Sequence, residues 1–243
     1  MKRIGSFACL FLICQSARAE GIDMAGLAGA GDGSVSARII QTMAVVTALS
    51  VAPGLLMMVT SFTRFTVALS FLRSGIGAQS TPANLVLVSL SLFMTLFVMA
   101  PTFDRAWKEG LDPLMRNEIT NEQAYPRIAA PFRQFMLGQV REKDMSLFED
   151  LARGRFNVSD RENIDFRLLI PAFMISELRR GFEIGFLIIM PFLVIDMIVA
   201  TLTMSMGMMM LPPSVISLPV KVMFFVLMDG WNMLVGSLVR SVN

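Results

Sequence analysis

The sequence predicts an all-α, membrane-associated chain of apolar helical hairpins split by a charged helical insertion. Three observations carry that reading. Of 243 residues, 54% are hydrophobic and only 16% charged, against about 25% charged in ordinary soluble domains; the mean hydropathy is +0.63. Uncharged stretches run to membrane-spanning length. In the charged middle, apolar residues recur at three- and four-residue intervals, the period of a helix face.

The first element is a secretory signal over 1–19. Lys2 and Arg3 precede an apolar run from Ile4 to Cys14, and Ala17-Arg18-Ala19 is the small-x-small pattern that signal peptidase accepts. Cleavage after Ala19 is expected, because the apolar core is too short to cross a bilayer. Losing Lys2, Arg3 and Arg18 takes 21 basic residues to 18 against 19 acidic ones, a mature charge of −1. Such a chain has no electrostatic footprint for nucleic acid. Cys9 and Cys14 leave with the signal and histidine is absent. Thiol nucleophiles, Cys/His zinc sites, disulfides and Ser-His-Asp triads are thereby excluded.

Residues 20–38 form an N-terminal periplasmic segment, and 39–103 a first hydrophobic hairpin. No charge interrupts Ile39 to Thr63, a length of about 37 Å as helix. Pro53-Gly54 predicts a kink within it. Arg64 and Arg73 follow without an acidic neighbour and read as a cytoplasmic loop under the positive-inside rule. The return helix is expected from near Pro82 to Pro101.

Residues 104–165 carry both signs of charge and read as a periplasmic helical insertion. Phe132, Phe135, Met136 and Val140 follow one helix face, with Pro131 suited to a first turn. Met145, Phe148 and Leu151 make a second stripe, headed by a capping box at Ser146-x-x-Glu149. Ser159-x-x-Glu162 is another candidate box. Residues 166–243 form a second hydrophobic hairpin, interrupted by Glu177, Arg179, Arg180 and Glu183, then by Asp196, Lys221 and Asp229. Hydropathy alone draws four crossings.

Charges inside apolar segments are costly and mark pairing or function. Asp196, in VIDMIVA, faces Lys221 across the last hairpin if the turn centres between Met208 and Met209. If it centres on Pro212-Pro213, the two differ by eight residues, about 12 Å in depth, and a partner on another subunit, such as Arg64, becomes equally eligible. Arg64 and Glu177 are taken with them as buried-pair and assembly residues. A structural pair is the plainer role; a proton relay through Asp196 is the alternative. Asp196 and Asp229 as a protease dyad find no supporting motif.

Between the arms of that hairpin lies MSMGMMM, with methionine at 204, 206, 208, 209 and 210, followed by Pro212-Pro213. Methionine is unbranched, flexible and polarizable, a filler of irregular gaps. Its position at a hairpin tip also suits a soft gate around an axis. Thioethers bind Cu(I) as well, but no Cys or His co-ligand exists in the mature chain.

These blocks together resemble the FliP family, export-gate proteins of the flagellar type III secretion apparatus, and its injectisome counterparts. The resemblance rests on PGLLMMVTSFTR (Pro53 to Arg64), PAFMISELRRGFEIGF (Pro171 to Phe186), PFLVID (Pro191 to Asp196), GMMMLPP (Gly207 to Pro213), LPVKVMFF (Leu218 to Phe225) and DGW (Asp229 to Trp231). It departs at Val220, where phenylalanine is usual, and at Met206, where a smaller or branched apolar residue is. The resemblance implies a pore complex of several copies with FliQ-like and FliR-like proteins, much of it above the membrane plane. It implies a methionine gasket, carried onto Met208, Met209 and Met210 and, less directly, Met204 and Met206. It further implies contact between copies through the insertion, carried onto Phe132, Phe135 and Phe148. The expected setting is the bacterial inner membrane at the flagellar basal body, and the expected cargo unfolded flagellar proteins.

No cofactor or enzymatic activity is expected. No G-x-x-x-x-G-K-[ST] signature occurs, so any ATP use belongs to another subunit. The rival readings are a small-solute or ion transporter coupled through Asp196, and a soft-metal transporter built on the methionines.

Overall fold

The computed structural model describes residues 39, 40, 42–44, 46, 47, 50, 51, 54, 57–78, 82–152, 164–207 and 212–242. Every element among them is helical. The signal residues Ala17 and Ala19, the Ser159 capping box and Met208 to Met210 lie outside these residues. The chain divides into two units at Pro53/Gly54. In the first, 39–51 is helical wherever described.

The second unit begins with α1 (Phe62–Ile76), ended by Gly77 at φ +82, whose N–H caps Ser74 O. Glycine reaches this left-handed conformation without steric cost. Arg64 therefore sits inside a helix, fully buried, and not in the cytoplasmic loop that hydropathy predicts. Charge marked it for solvent, but a buried carboxylate receives it. Helix α2 (Asn84–Ala106) runs past Pro101, where the sequence predicted an end. A proline forfeits its own N–H and crowds one carbonyl, while Phe103 and Ala106 beyond it have packing partners.

One π-helical turn, Trp107–Leu111, leads into α3 (Asp112–Met115). Gly110 in that turn lies against Ile128, which a Cβ would approach to 2.3 Å, so this close crossing requires glycine. Ile128 belongs to α4 (Asn121–Gln139), which holds Pro131 in its interior instead of its first turn. Helix α5 (Glu142–Ala152) starts four residues before Ser146. The hydroxyl of Ser146 donates to Lys143 O, so the predicted capping box is absent. On α5, Met145 and Ala152 are buried while Leu151 is 64% exposed, which breaks the predicted stripe at its last member.

Helix α6 (Phe166–Ser205) is continuous over 40 residues, about 60 Å, twice the hydrocarbon thickness. Asp165 caps it by accepting from Arg167 N–H at 2.9 Å, satisfying one of the orphan donors at its start. The charges that broke the hydropathy pattern at 177–183 do not break the helix, since each turn's backbone bonds are internal. Gly207 at φ +73 turns the chain after it. Helices α7 (Pro213–Leu227) and α8 (Gly230–Arg240) follow, bent by 67° at Asp229, which adopts a left-handed φ of 49°. Two helices, Asn84–Met115 and Phe166–Ser205, are long and apolar enough to cross a membrane, or three if the bent pair counts as one. The first of the four crossings drawn from hydropathy, 39–63, falls largely outside the described residues.

Two apolar cores organise the second unit. The larger joins Phe65, Leu69 and Leu72 of α1, Leu87 and Met94 of α2, Phe192 of α6, Phe225 of α7 and Leu238 of α8. The smaller joins Met136 of α4, Met145 of α5 and Leu168, Leu169 and Phe173 of α6. Each fully buried side chain of this size contributes about 1.5–3 kcal/mol. Phe135 packs against both. α1 lies along α6 at very short range over Gly181 and Gly185, a small-xxx-small spacing that lets helix backbones approach in apolar surroundings.

Candidate functional site

Two ion pairs stitch the hairpins together. In the first, the planar five-donor fork of Arg64 is completely engaged. Its Nε donates to Glu177 Oε2 at 2.9 Å and its Nη2 to Glu177 Oε1, a bidentate pair. Nη2 also reaches Gln139 Oε1 at 3.0 Å, and Nη1 reaches Ser241 O at 2.6 Å and Ser241 Oγ at 3.3 Å. Both charged side chains are fully buried. Desolvating two charges is tolerable only when the remaining donors are met, and here they are. Gln139 Oε1 accepts a further bond from Arg180 Nη1 at 2.5 Å, and Gln139 Nε2 donates to Val242 O at 2.7 Å. The pair so joins α1, α4, α6 and the turn after α8.

The second pair is Lys221 Nζ to Asp196 Oδ2 at 2.6 Å, with Lys221 Nζ also donating to Gly75 O at 2.9 Å. The two members are unequal. The Lys221 side chain is 7% exposed and that of Asp196 39%. A cavity of about 380 Å³ opens beside them, lined by Ser74, Gly77, Ala200, Pro213, Ser214 and Ser217 among others. The partner of Asp196 thus lies in the same chain, on the opposing arm, and Arg64 is committed elsewhere. The carbonyl of Gly75 ties this hairpin to the end of α1.

A smaller polar contact fixes α5 on α6. Ser176 Oγ donates to Asp144 Oδ2 at 2.7 Å and accepts from Arg141 N–H at 3.1 Å. Neither Ser176 nor Gln139 and Ser241 stood out in the sequence. Uncharged polar residues in no periodic pattern give no signal. The one available hint was an arginine at 64 with no acidic residue near it in the chain.

The methionines are partly placed. Met204 and Met206 lie at the end of α6, 64% and 69% exposed, just before the turn at Gly207. The three aromatic residues assigned to subunit contact are engaged within the chain. Phe132 meets Phe103 edge-on at 5.6 Å, Phe135 meets Phe173 at 6.0 Å, and Phe148 packs on the smaller core. The exposed large apolar side chains of that region, among the described residues, are Trp107, Met115, Tyr125, Leu147 and Leu151. Near the other end, Trp231 stands edge-on to Phe225 at 5.3 Å, and Gly230 lies so close to that ring that a Cβ would come within 2.3 Å. DGW is therefore the hinge between α7 and α8.

The FliP family model matches residues 45–238. Flagellar biosynthetic protein FliP of Agrobacterium fabrum is 63% identical over 213 residues, covering 87% of each chain. That of Rhizobium meliloti is 60% identical over 231 residues, covering 90% of this chain and 94% of the relative. That of Bacillus subtilis is 48% identical over 202 residues, covering 83% and 91%. A match over most of the chain, at these identities, makes this protein a member of the FliP family.

Proposed function

We propose that this chain is a non-enzymatic core subunit of the flagellar type III protein export gate in the bacterial inner membrane. Several copies, with FliQ-like and FliR-like partners, wall a conduit for unfolded flagellar proteins at the basal body. The observation that carries this reading is the tip of the last hairpin. Exposed Met204 and Met206 stand at the end of a 40-residue helix, the chain then turns at Gly207, and the two arms are clamped by Asp196 and Lys221. A rigid pair of arms presents a soft end.

Such an end fits the task. An unfolded polypeptide offers every side-chain type in turn, so its gate has no fixed shape or hydrogen-bond pattern to match. Flexible thioether chains exclude ions by dewetting and repack around whatever passes, as methionine-rich promiscuous surfaces do. The seal is assigned to Met208, Met209 and Met210, flanked by Met204 and Met206. Replacing Met208, Met209 and Met210 together by alanine is expected to make the closed gate leak ions while the complex still assembles. Unchanged leakage and export in that variant would remove the gasket from the account. Copurification with the FliQ-like and FliR-like proteins in mild detergent should yield a large ring-like particle; a lone monomer would count against the whole reading.

A further inference from the structure

We propose that the turn Ser241–Val242 is a latch whose closing makes the buried Arg64–Glu177 pair sustainable. Glu177 meets only two of the five guanidinium N–H groups. Of the other three, two are met by Ser241 and one by Gln139. The carbonyls of residues 241 and 242 follow directly on α8, where a helix leaves its last C=O groups without internal partners and carries partial negative charge. That end of α8 is aimed at the cation. The amide of Gln139 works from the other side, taking Arg64 on its oxygen and holding Val242 O with its nitrogen. The side chain of Val242, 5% exposed, is seated in the larger core beside Leu238.

The parts come from residues 64, 139, 177 and 241–242, so the site is assembled from distant stretches of chain. Before α8 docks, a fully charged guanidinium with the two Nη1 donors unmet lies among apolar helices, a state that low dielectric penalises. Docking of α8 is then the step that commits α1, α4 and α6 to one another. A chain without the turn populates an open state, with the pair hydrated through the half-buried edge at Arg180.

The test is a double-mutant cycle on the full chain in mild detergent. A stop after Arg240, removing Ser241 to Asn243, should lower the thermal midpoint by roughly 5–10 °C, the scale expected for exposing part of a buried charge pair in a chain this long. A stop after Val242, which removes only Asn243, should leave it within about 2 °C. In an Arg64→Met/Glu177→Met background the longer truncation should cost clearly less than in the parent, because only the burial of Val242 is then lost and no cation remains to be latched. An equal loss in both backgrounds overturns the proposal. If the double variant does not fold, Gln139→Leu reports in its place by amide hydrogen exchange. Faster exchange at Ser241 and Val242 and in α1 around Arg64 supports the latch, and unchanged exchange at both places overturns it.

Discussion

Gly185 lies so close to Phe71 that a Cβ on it would stand 2.6 Å from ring atom Cγ and 2.8 Å from the Phe71 Cβ. The second distance matters more, because a Cβ is fixed to its backbone and does not swing aside. The ring is also held edge-on by Phe182 at 5.2 Å. Gly185→Ala must therefore push α1 away from α6, at a cost of about 1–3 kcal/mol. Gly181→Ala meets Val67 and Arg64 O at 3.1–3.2 Å and should cost less. Gly236, with nothing within 4 Å of its virtual Cβ, is the control. Gly236→Ala should stabilise by about 0.5–1 kcal/mol through helix propensity alone. Thermal unfolding of the three variants in one detergent checks the order.

The inequality within the Asp196–Lys221 pair predicts an asymmetry between its single variants. Asp196→Asn leaves a buried ammonium with neutral acceptors only, Gly75 O and the new amide oxygen, and no counter-charge, at a cost of about 2–4 kcal/mol. Lys221→Met leaves a carboxylate that water reaches through the adjoining cavity, so its cost should be roughly 1 kcal/mol. Joining the two changes should recover part of the Asp196→Asn loss. The same variants separate the export-gate reading from an ion-coupled transporter. A clamp that holds the hairpin predicts less assembled complex from Asp196→Asn, whereas a coupling carboxylate predicts normal assembly and no transport. Quantifying assembled particle beside export decides between them.

Phe135 and Phe148 pack on the chain's own cores, so their effect on folding has to be separated from any effect on contact between copies. Phe135→Ala removes a ring that touches both cores and should destabilise the single chain by about 2–3 kcal/mol, with association lost as a consequence. Leu147→Ser and Leu151→Ser change side chains 49% and 64% exposed, one helical turn apart on α5. They should leave the thermal midpoint of the single chain within about 2 °C and weaken association between copies. If the serine variants associate normally and only the phenylalanine variants fail after correction for folding, contact between copies does not use α5.

Residue by residue, legibility followed one rule. Features set by local physics were readable: the helical class from apolar period, and a turn between the arms of the last hairpin. The pairing of Asp196 was only half readable: Lys221 and a partner on another subunit stood equally open, because the centre of the turn was not fixed, and the fold supplies Lys221. Features set by tertiary partners were not readable. Arg64 reads both as a loop residue and, with Glu177, as a buried-pair candidate, but nothing within ten positions neutralises it and its carboxylate is 113 residues away, so only the fold joins the two. Pro101 and Pro131 read as helix boundaries, yet packing beyond each offsets one missing hydrogen bond. Gln139 and Ser241 carry no charge and join no periodic stripe, so only the fold reveals that they complete the arginine's shell.

The gasket assignment makes a sharper demand than leakage on truncation to alanine, because it attributes the seal to two separable properties of methionine. One is apolar volume, which excludes water and ions. The other is softness: three rotatable bonds and no branch at Cβ, so that the side chain reshapes at small cost. Isoleucine keeps the first and loses the second, being restricted at χ1. Replacing Met208, Met209 and Met210 by isoleucine should therefore leave ion leakage at the closed-gate level while export falls several-fold. Alanine should do the reverse and leak. A seal that depended on bulk alone would export normally with isoleucine, and one that depended on a bound soft metal would fail equally with both. Measuring ion leakage and export of flagellar protein in the same two strains separates the three cases.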